Sequence, residues 1–391
     1  MGFLEEVKKI VENENVSESD LDKVVYAFDS SYLEGKTNFI IWPRNVDEIK
    51  KIIKIANRER VKITLRGGGT GLVGGAVPEN SVVLDLSKMN KILEINTDEN
   101  YVIVEAGVIL DDLNNELENK GLLFPIRPGS HAVCTIGGII ATNAAGINAI
   151  KYGKVENWLI ELEVVTGNGD LKIVKGDEIK VFCGSEGLYG VITKAKLRLT
   201  KSIKKTTISK LALNNYEELM KAIKEFKDKA VALEFIDEMT SSFLGMQPAM
   251  YLIAEFEDDS GDIKEKEEIE KIMRIRDGIY AALVSNNYSI ITDPQVHVDK
   301  LPILLKEIKK MGKPHFGHVG IGLIHVHFKP EEVGETDRLY ELVLKLGGKI
   351  SGEHGIGKLK QKFLSENEKE RIMSFKKRYD PNNVFGELEW V

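Results

Sequence analysis

Cysteine is nearly absent from the sequence, which has only Cys134 and Cys183 among 391 residues. The two residues lie far apart and show no metal-ligand spacing. They exclude both a disulfide framework and a four-cysteine iron–sulfur site. We expect two reduced, buried thiols.

Long apolar runs are also lacking, since no stretch approaches the roughly 18 uninterrupted apolar residues of a membrane span. The nearest, from Ile136 to Ile150, is broken by Gly, Asn and Thr. The N-terminus has neither the basic start nor the apolar core of a signal peptide. We therefore expect a cytoplasmic protein without a transmembrane segment, with attachment to the membrane periphery through a partner as the alternative.

Positive charge is not in excess, because the formal net charge is −7 and the pI is about 5.7. This acidic balance argues against nucleic acid as a partner, although it allows a local basic patch near an anionic substrate. The chain is too long for one ordinary core, so at least two domains are expected. No internal repeat stands out.

The pattern of predicted secondary structure changes twice along the chain, which predicts three parts. Residues 1–200 combine short strands with glycine-rich segments. Residues 201–330 read as strands and helices of an antiparallel sheet covered by helices. Residues 331–391 are expected to be mostly helical, to pack back on the first domain and to complete the active site.

Several individual elements have clear signals. Asn45 to Asn57 predicts a helix in which Asn45 is the N-cap and the apolar residues share one face. Met250 to Phe256 predicts a strand and Leu301 to Met311 a helix. By contrast, Pro125 to Gly153 has neither helical nor strand period. So long an irregular segment indicates a functional role.

A glycine run at residues 66–75 has the spacing of a dinucleotide-binding fingerprint, with Gly69, Gly71 and Gly74 in register. That fingerprint requires a helix directly after the glycines. Here Pro78 and a predicted strand follow instead, which argues against the Rossmann interpretation. Consecutive glycines still allow the backbone to approach a pyrophosphate closely and to donate several N–H groups to it.

Three ordered segments carry a family resemblance: Asn45 to Ile95, with its glycines and the sequence Leu84-Asp85-Leu86-Ser87; Pro128 to Gly146; and Gly184 to Thr193. They resemble the flavin-binding segments of FAD-dependent D-2-hydroxy acid dehydrogenases, which include D-lactate dehydrogenases and the glycolate oxidase large subunit. The resemblance implies an α+β protein. Its two-part FAD domain would have the fold of p-cresol methylhydroxylase and vanillyl-alcohol oxidase, and a smaller ferredoxin-like antiparallel sheet would form a cap domain.

The same resemblance implies which residues bind the cofactor. Relatives that hold flavin covalently have His where this chain has Thr70, so FAD is expected to be non-covalent. The implied FAD-binding residues are Arg66, Gly67, Gly68, Gly69, Thr70, Gly71, Gly74, Gly75, Pro128, Gly129, Ser130, Thr135, Gly137, Gly138, Thr142, Asn143, Gly146, Gly184, Glu186, Gly190, Val191 and Ile192.

Histidine is concentrated near the C-terminus, because four of the seven histidines lie between residues 315 and 327. His325 and His327 share one face of a predicted strand, and nearby glycines allow a turn that brings His318 close. Glu353 and His354 follow in a second glycine-rich block. Such a set suits a divalent metal with open positions, although hydrogen-bonded structural histidines would give the same composition.

The C-terminal blocks also resemble the family, whose metal-dependent members carry G-H-x-G-D-G-N-L-H and S-G-E-H-G-I-G. The resemblance implies His318, His325 and Glu353 as ligands of a metal such as Zn, Mn or Fe, and His354 as the base. Two polar family positions are Ile321 and Leu323 here, so the surroundings of the metal are expected to differ.

The expected reaction is oxidation of a small D-2-hydroxy acid such as D-lactate, glycolate or D-2-hydroxyglutarate. Arg276 is the candidate to bind the substrate carboxylate bidentately, and a solvated helix charge is the equally weighted alternative. Reduced flavin would need an external acceptor: an iron–sulfur subunit, a quinone or a soluble carrier. A homo-oligomer is compatible with the sequence.

Two other functions remain open at this point. One is a non-redox flavin transferase of the alkyl-dihydroxyacetone-phosphate synthase type, and the other is a non-catalytic flavin- or metal-binding subunit. The chain also departs from the family after Asp380-Pro381-Asn382-Asn383-Val384-Phe385, where relatives continue N-P-G-K. Contacts that the family makes through that motif are therefore in doubt.

Overall fold

A computed structural model describes residues 2–203, 205–386 and 388. The first domain begins with a four-stranded sheet of order β1-β2-β4-β3, in which β2, β4 and β3 are parallel. Its elements are α1 (Phe3–Val7), β1 (Val16–Ser17), α2 (Asp20–Tyr26), β2 (Lys36–Ile41), α3 (Val46–Glu59), β3 (Ile63–Arg66) and β4 (Glu79–Asp85).

Helix α3 forms as predicted. The Asn45 side chain accepts the Glu48 backbone N–H at 3.0 Å, which satisfies one of the free N–H groups at the helix start. Ile49, Ile52 and Ile53 are buried against the sheet. Strand β4 follows the glycine run without an intervening helix, which confirms that this is not a Rossmann unit.

The second half of the first domain is a five-stranded antiparallel sheet of order β5-β6-β10-β8-β9. Its elements are β5 (Ile92–Asn96), β6 (Tyr101–Glu105), α4 (Leu110–Glu118), β7 (Leu122–Leu123), α5 (Ile136–Thr142), α6 (Ala149–Tyr152), β8 (Leu159–Thr166), β9 (Leu171–Lys175), α7 (Ile179–Phe182), β10 (Gly190–Arg198) and β11 (Thr200–Lys201).

Helices α5 and α6 correct the expectation that Pro125 to Gly153 has no regular structure. Gly137 and Gly138 lower the intrinsic helix propensity of α5. Its ends nevertheless supply what the sequence composition hides: the Thr135 hydroxyl caps the start, and Asn143 adopts a left-handed conformation at the end.

The second domain is a six-stranded antiparallel sheet of order β12-β14-β13-β16-β17-β15. Two β-α-β-β units meet at the pair β13–β16, and helices cover both faces. Its elements are β12 (Thr207–Leu213), α8 (Tyr216–Phe226), β13 (Ala232–Ile236), α9 (Glu238–Phe243), β14 (Met250–Phe256), α10 (Lys266–Asp277), α11 (Ile279–Ser285), β15 (Ile290–Thr292), α12 (Leu301–Met311), β16 (His315–His318), β17 (His325–Phe328) and α13 (Glu335–Lys345).

The C-terminal part is less helical than predicted. Between α13 and α14 (Glu366–Tyr379) runs a loop rich in glycine and short turns. Helix α13 packs on the second sheet through Leu339 and Val343, whereas α14 packs on the five-stranded sheet through Phe375 and Tyr379. The expected return to the first domain therefore involves α14 and not α13.

After α14 the chain is fixed by a buried carboxylate. Asp380 accepts the backbone N–H groups of Val384 and Phe385 and the Lys376 ammonium. Residues 387 and 389–391, which replace the end of the family motif, lie outside the described residues.

Both cysteines are free and buried, as predicted. None of the helices in the described ranges combines the length and apolar character that crossing a lipid bilayer requires.

Candidate active site

A cavity of about 530 Å³ runs from the glycine loop after β3 to the polar face of the second sheet. The first domain forms one end and His318, His325, Glu353 and His354 form the other. Of the predicted FAD-binding residues, those that line this cavity are Arg66, Gly67, Gly68, Gly69, Thr70, Gly71, Gly75, Pro128, Gly129, Ser130, Thr135, Gly137, Gly138, Thr142, Glu186, Gly190 and Ile192.

The glycine loop has the features that a pyrophosphate site needs. The backbone N–H groups of residues 67–71 donate to no other atom of the described chain. A Cβ on Gly67 would lie 2.3 Å from Thr135 Oγ1, and one on Gly68 would lie 2.3 Å from the Val133 carbonyl oxygen. Only glycine therefore fits the close approach of the two segments, and the free N–H groups suit the oxygens of a bound dinucleotide.

Five predicted FAD-binding residues lie outside the lining of this cavity. The Val191 side chain is buried in the core, Asn143 ends α5, and Gly184 lines a neighbouring cavity of about 450 Å³. Gly74 has a positive φ and packs against Leu33. The Gly146 backbone N–H donates to Glu353 Oε2 at 2.7 Å. This glycine therefore contacts the histidine end of the cavity and not the glycine loop.

His318, His325 and Glu353 converge as predicted. Their ligand atoms lie within 4.8 Å of one another, and both His325 Nε2 (3.2 Å) and His318 Nε2 (3.6 Å) approach the same oxygen, Glu353 Oε1. The two imidazole rings come from adjacent strands, β16 and β17. Two imidazoles and one carboxylate in this arrangement fit a divalent metal with open positions.

Glu234, which the sequence interpretation missed, orients the first of these ligands. It pairs with His318 across β13 and β16 and accepts a hydrogen bond from His318 Nδ1. Burial alone would lower the pKa of His318. The negative charges of Glu234 and Glu353, and the hydrogen bonds that these carboxylates accept from the ring, outweigh burial and raise the pKa to about 10. This contact leaves Nε2 facing Glu353, and a metal bound there would displace its proton.

A second buried carboxylate, Asp293, shapes the loop that carries Glu353 and His354. Asp293 Oδ2 accepts the backbone N–H groups of Gly352, Glu353 and His354 at 3.0, 2.8 and 2.7 Å. Its other oxygen pairs with Lys360, whose side chain is also buried. Burial alone would raise the pKa of Asp293, but the nearby charges of His354 and Lys360 and these hydrogen bonds lower it to about 2.

His354 lies between this carboxylate and the ligand cluster. Its ring stacks on that of His325 with centroids 5.1 Å apart, Nδ1 is 3.6 Å from Asp293 Oδ1, and Nε2 is 3.8 Å from Glu353 Oε1. Burial lowers the pKa of His354 to about 4, against the opposing charge of Asp293. The imidazole is therefore neutral at physiological pH and able to accept a proton.

Glu186 holds the next part of the same loop from the first domain. Its carboxylate accepts the backbone N–H groups of Ile356 and Gly357 at 2.7 and 2.8 Å. Burial raises the pKa of Glu186 despite these hydrogen bonds. The residue was predicted to bind FAD; it lines the cavity, but its carboxylate joins the two domains.

Arg276 is buried, so it is not the solvated helix charge that the sequence left open. Its Nη1 donates to Glu255 Oε2 at 2.9 Å. Arg276 lines the same cavity, and its buried Nε and Nη2 donate no hydrogen bond to the described chain, although Nε lies 3.5 Å from Asp277 Oδ1. Two unsatisfied guanidinium N–H groups are expensive to bury unless an anion pairs with them.

Comparison with known proteins agrees with this architecture. Residues 37–175 match the FAD binding domain, and residues 204–386 match the C-terminal domain of FAD linked oxidases. The chain is 30% identical to the D-lactate dehydrogenase of Archaeoglobus fulgidus, covering 99% of this chain and 98% of that protein. The chain belongs to the FAD-linked oxidase family. FAD is thus confirmed as its cofactor.

Other members of this family differ in substrate. The glycolate oxidase subunit GlcD of Bacillus subtilis is 29% identical over 95% of this chain and 93% of its own length. The D-2-hydroxyglutarate dehydrogenase of Stutzerimonas stutzeri is also 29% identical, covering 98% of both chains. Among solved structures, an alkyldihydroxyacetonephosphate synthase aligns with a TM-score of 0.73 at 16% identity over 98% of this chain and 83% of its own, which shows the shared fold.

Proposed function

We propose that this protein oxidises a small D-2-hydroxy acid to the corresponding 2-oxo acid with FAD as the oxidant. The single observation that carries the proposal is the cavity itself. It joins the glycine cradle for FAD to His354, Arg276 and the His318–His325–Glu353 cluster. The names of the family relatives, which include dehydrogenases of D-lactate and D-2-hydroxyglutarate, support the same substrate class.

The reaction breaks the C2–H bond and the O–H bond of the substrate hydroxyl. Bound FAD supplies a hydride acceptor for the hydrogen on C2. A divalent metal such as Zn, Mn or Fe, held by His318, His325 and Glu353, would supply Lewis acidity at the substrate hydroxyl. The remaining tasks are removal of the hydroxyl proton and binding of the carboxylate.

His354 is proposed as the base. Its Nε2 faces the ligand cluster, where the substrate hydroxyl would lie, and burial keeps the ring neutral. Asp293, on the side of Nδ1, would stabilise the imidazolium that forms when Nε2 takes the proton.

Arg276 is proposed to bind the substrate carboxylate. Nε and Nη2 form the edge of the guanidinium that presents two parallel N–H groups. Neither has a hydrogen-bond partner in the described chain, and Nε lies 3.5 Å from Asp277 Oδ1. Glu255 fixes the group from the other side through Nη1. A bidentate pair would orient C2 as well as hold the substrate.

The electrons must leave through an external acceptor, for which we propose an iron–sulfur subunit, a quinone or a soluble carrier. The two cysteines of the chain cannot hold a cluster of their own. The transferase alternative has no observation in its favour beyond the shared fold.

The test is anaerobic reduction of the flavin in the purified holoenzyme by D- and L-2-hydroxy acids. We expect at least one D-acid to bleach the flavin band and its L-enantiomer to leave it unchanged. His354→Gln should keep its flavin and lose about 100-fold or more of the reduction rate. His297→Gln, at a histidine with a side chain 78% exposed, is the matched control. A bound flavin that no hydroxy acid reduces would contradict the proposal.

A further inference from the structure

One wall of the cavity beside the ligand cluster is apolar. Phe316 pairs with His325 across β16 and β17, and their ring centroids are 4.9 Å apart. Ile291 pairs with His327 on the other side of β17, and the Tyr280 ring lies 6.0 Å from that of His327. Phe316, Ile291 and Tyr280 all line the cavity, so a substrate held at the cluster would direct its side chain toward carbon atoms.

Positive charge near this wall is limited. Beyond the glycine loop with its Arg66, the described side chains that line the cavity include two guanidinium groups, those of Arg127 and Arg276. Arg276 has N–H groups without a hydrogen-bond partner for one carboxylate, and its Nε lies 3.5 Å from Asp277 Oδ1. Arg127 Nη2 already donates to Asp277 Oδ2 at 3.2 Å, across the boundary between the domains.

Negative charge is present on the same side. Glu234, Glu353 and Asp277 also line the cavity. A second carboxylate on the substrate would therefore meet an apolar wall whose neighbouring charges are already paired: Glu234 and Glu353 with His318, and Asp277 with Arg127. Placing an ionised group there without a partner is strongly unfavourable.

We propose that the enzyme is specific for monocarboxylic D-2-hydroxy acids with an apolar side chain, and that it discriminates against 2-hydroxy diacids. The inference rests on the proposed function, because it assumes that Arg276 binds the carboxylate next to the reacting carbon. Phe316, Ile291 and Tyr280 contact the substrate side chain. Asp277 keeps Arg127 from serving a second carboxylate.

The first experiment compares anaerobic flavin reduction by two sets of D-acids of similar length. D-lactate, D-2-hydroxybutyrate and D-2-hydroxy-4-methylpentanoate form the apolar set, and D-malate and D-2-hydroxyglutarate form the diacid set. We expect the rate constant divided by the dissociation constant to favour the best apolar acid by about 100-fold or more.

The second experiment adds a cation to the wall. Ala281 is exposed at the start of α11 and lines the cavity, so Ala281→Arg should fold without difficulty. It should raise the diacid-to-monoacid ratio about tenfold or more, and the uncharged Ala281→Gln should not. Asp277→Asn releases Arg127 and should shift the same ratio in the same direction. Its loss of the contact with Arg276 Nε affects both sets of acids alike and leaves the ratio unchanged.

The outcomes distinguish a failure of the substrate specificity from a failure of the proposed function. Equal or better reduction by the diacids would overturn the specificity while leaving the oxidase function intact. An Ala281→Arg ratio equal to that of Ala281→Gln would contradict the placement of the side-chain wall. No reduction by any acid of either set would remove the proposed function and the specificity with it.

Discussion

Replacing Asp293 by Asn tests whether this buried carboxylate holds the loop that carries Glu353 and His354. The amide cannot satisfy both sets of partners. If its oxygen faces the three backbone N–H groups of residues 352–354, its NH2 group faces the Lys360 ammonium. If it is turned round, donor meets donor at the loop.

The loss of unfolding free energy can be calculated in two ways. Breaking a buried ion pair by neutralising one partner typically costs about 3–5 kcal/mol. The depression of the Asp293 pKa from 3.8 to about 2 corresponds to roughly 2.5 kcal/mol of interaction with the ionised form. We therefore expect Asp293→Asn to lower the free energy of unfolding of the second domain by about 3 kcal/mol.

Urea unfolding of the metal-depleted protein, followed by far-ultraviolet circular dichroism, measures this change. The described tryptophans, Trp42 and Trp158, both lie in the first domain, so their fluorescence reports that domain separately. Hydrogen exchange of the amides at residues 352–354 should accelerate in the variant.

The matched control is Asp299→Asn, at a side chain that is 79% exposed. An Asp293→Asn variant with the urea midpoint and amide protection of the wild type would refute the reasoning. So would a control that shifts as far as the variant.

Three further predictions concern acid unfolding, the partner of the His318 ligand and the glycine loop. Because the folded-state pKa of Asp293 is depressed, its stabilising contribution is complete above about pH 4 and is lost as the pH falls toward 2. Acid unfolding of metal-depleted wild type should therefore show a steeper pH dependence in that window than Asp293→Asn. Glu234→Gln should weaken binding of Zn or Mn about 10- to 100-fold by calorimetry and retain FAD, whereas Glu238→Gln, at a half-exposed side chain, should change neither. Gly67→Ala places a Cβ 2.3 Å from Thr135 Oγ1 and should weaken FAD retention about tenfold or more in a flavin-release assay. Gly334→Ala, with open space at the Cβ position, should retain FAD normally.

The elements with local signals were predictable from the sequence. Strand β14 and helix α12 have the predicted bounds, and α3 starts at its predicted cap. Helix α5 was missed because two glycines mask a short helix whose caps are its clearest feature. The loop between α13 and α14 was taken for helix, although its glycines include Gly355 and Gly357 with positive φ.

The residues of the site were also predictable only in part. The spacing of the histidines, together with the family resemblance, predicted the cluster of His318, His325 and Glu353. Glu234 and Asp293 were missed because their partners are distant along the chain: His318 is 84 residues from Glu234, and His354 is 61 residues from Asp293. Signals for both existed in retrospect, since Glu234 is the one charged residue in an apolar strand and Asp293 precedes a proline.

The loop between α13 and α14 is bound by one carboxylate from each domain, Asp293 at residues 352–354 and Glu186 at residues 356–357. This double attachment constrains how such enzymes can recombine. A chimera that takes its FAD domain from one relative and its cap from another inherits the two anchors from different parents. It should assemble a working site only when the parent of its FAD domain supplies a carboxylate at position 186, because that anchor binds the loop through backbone N–H groups.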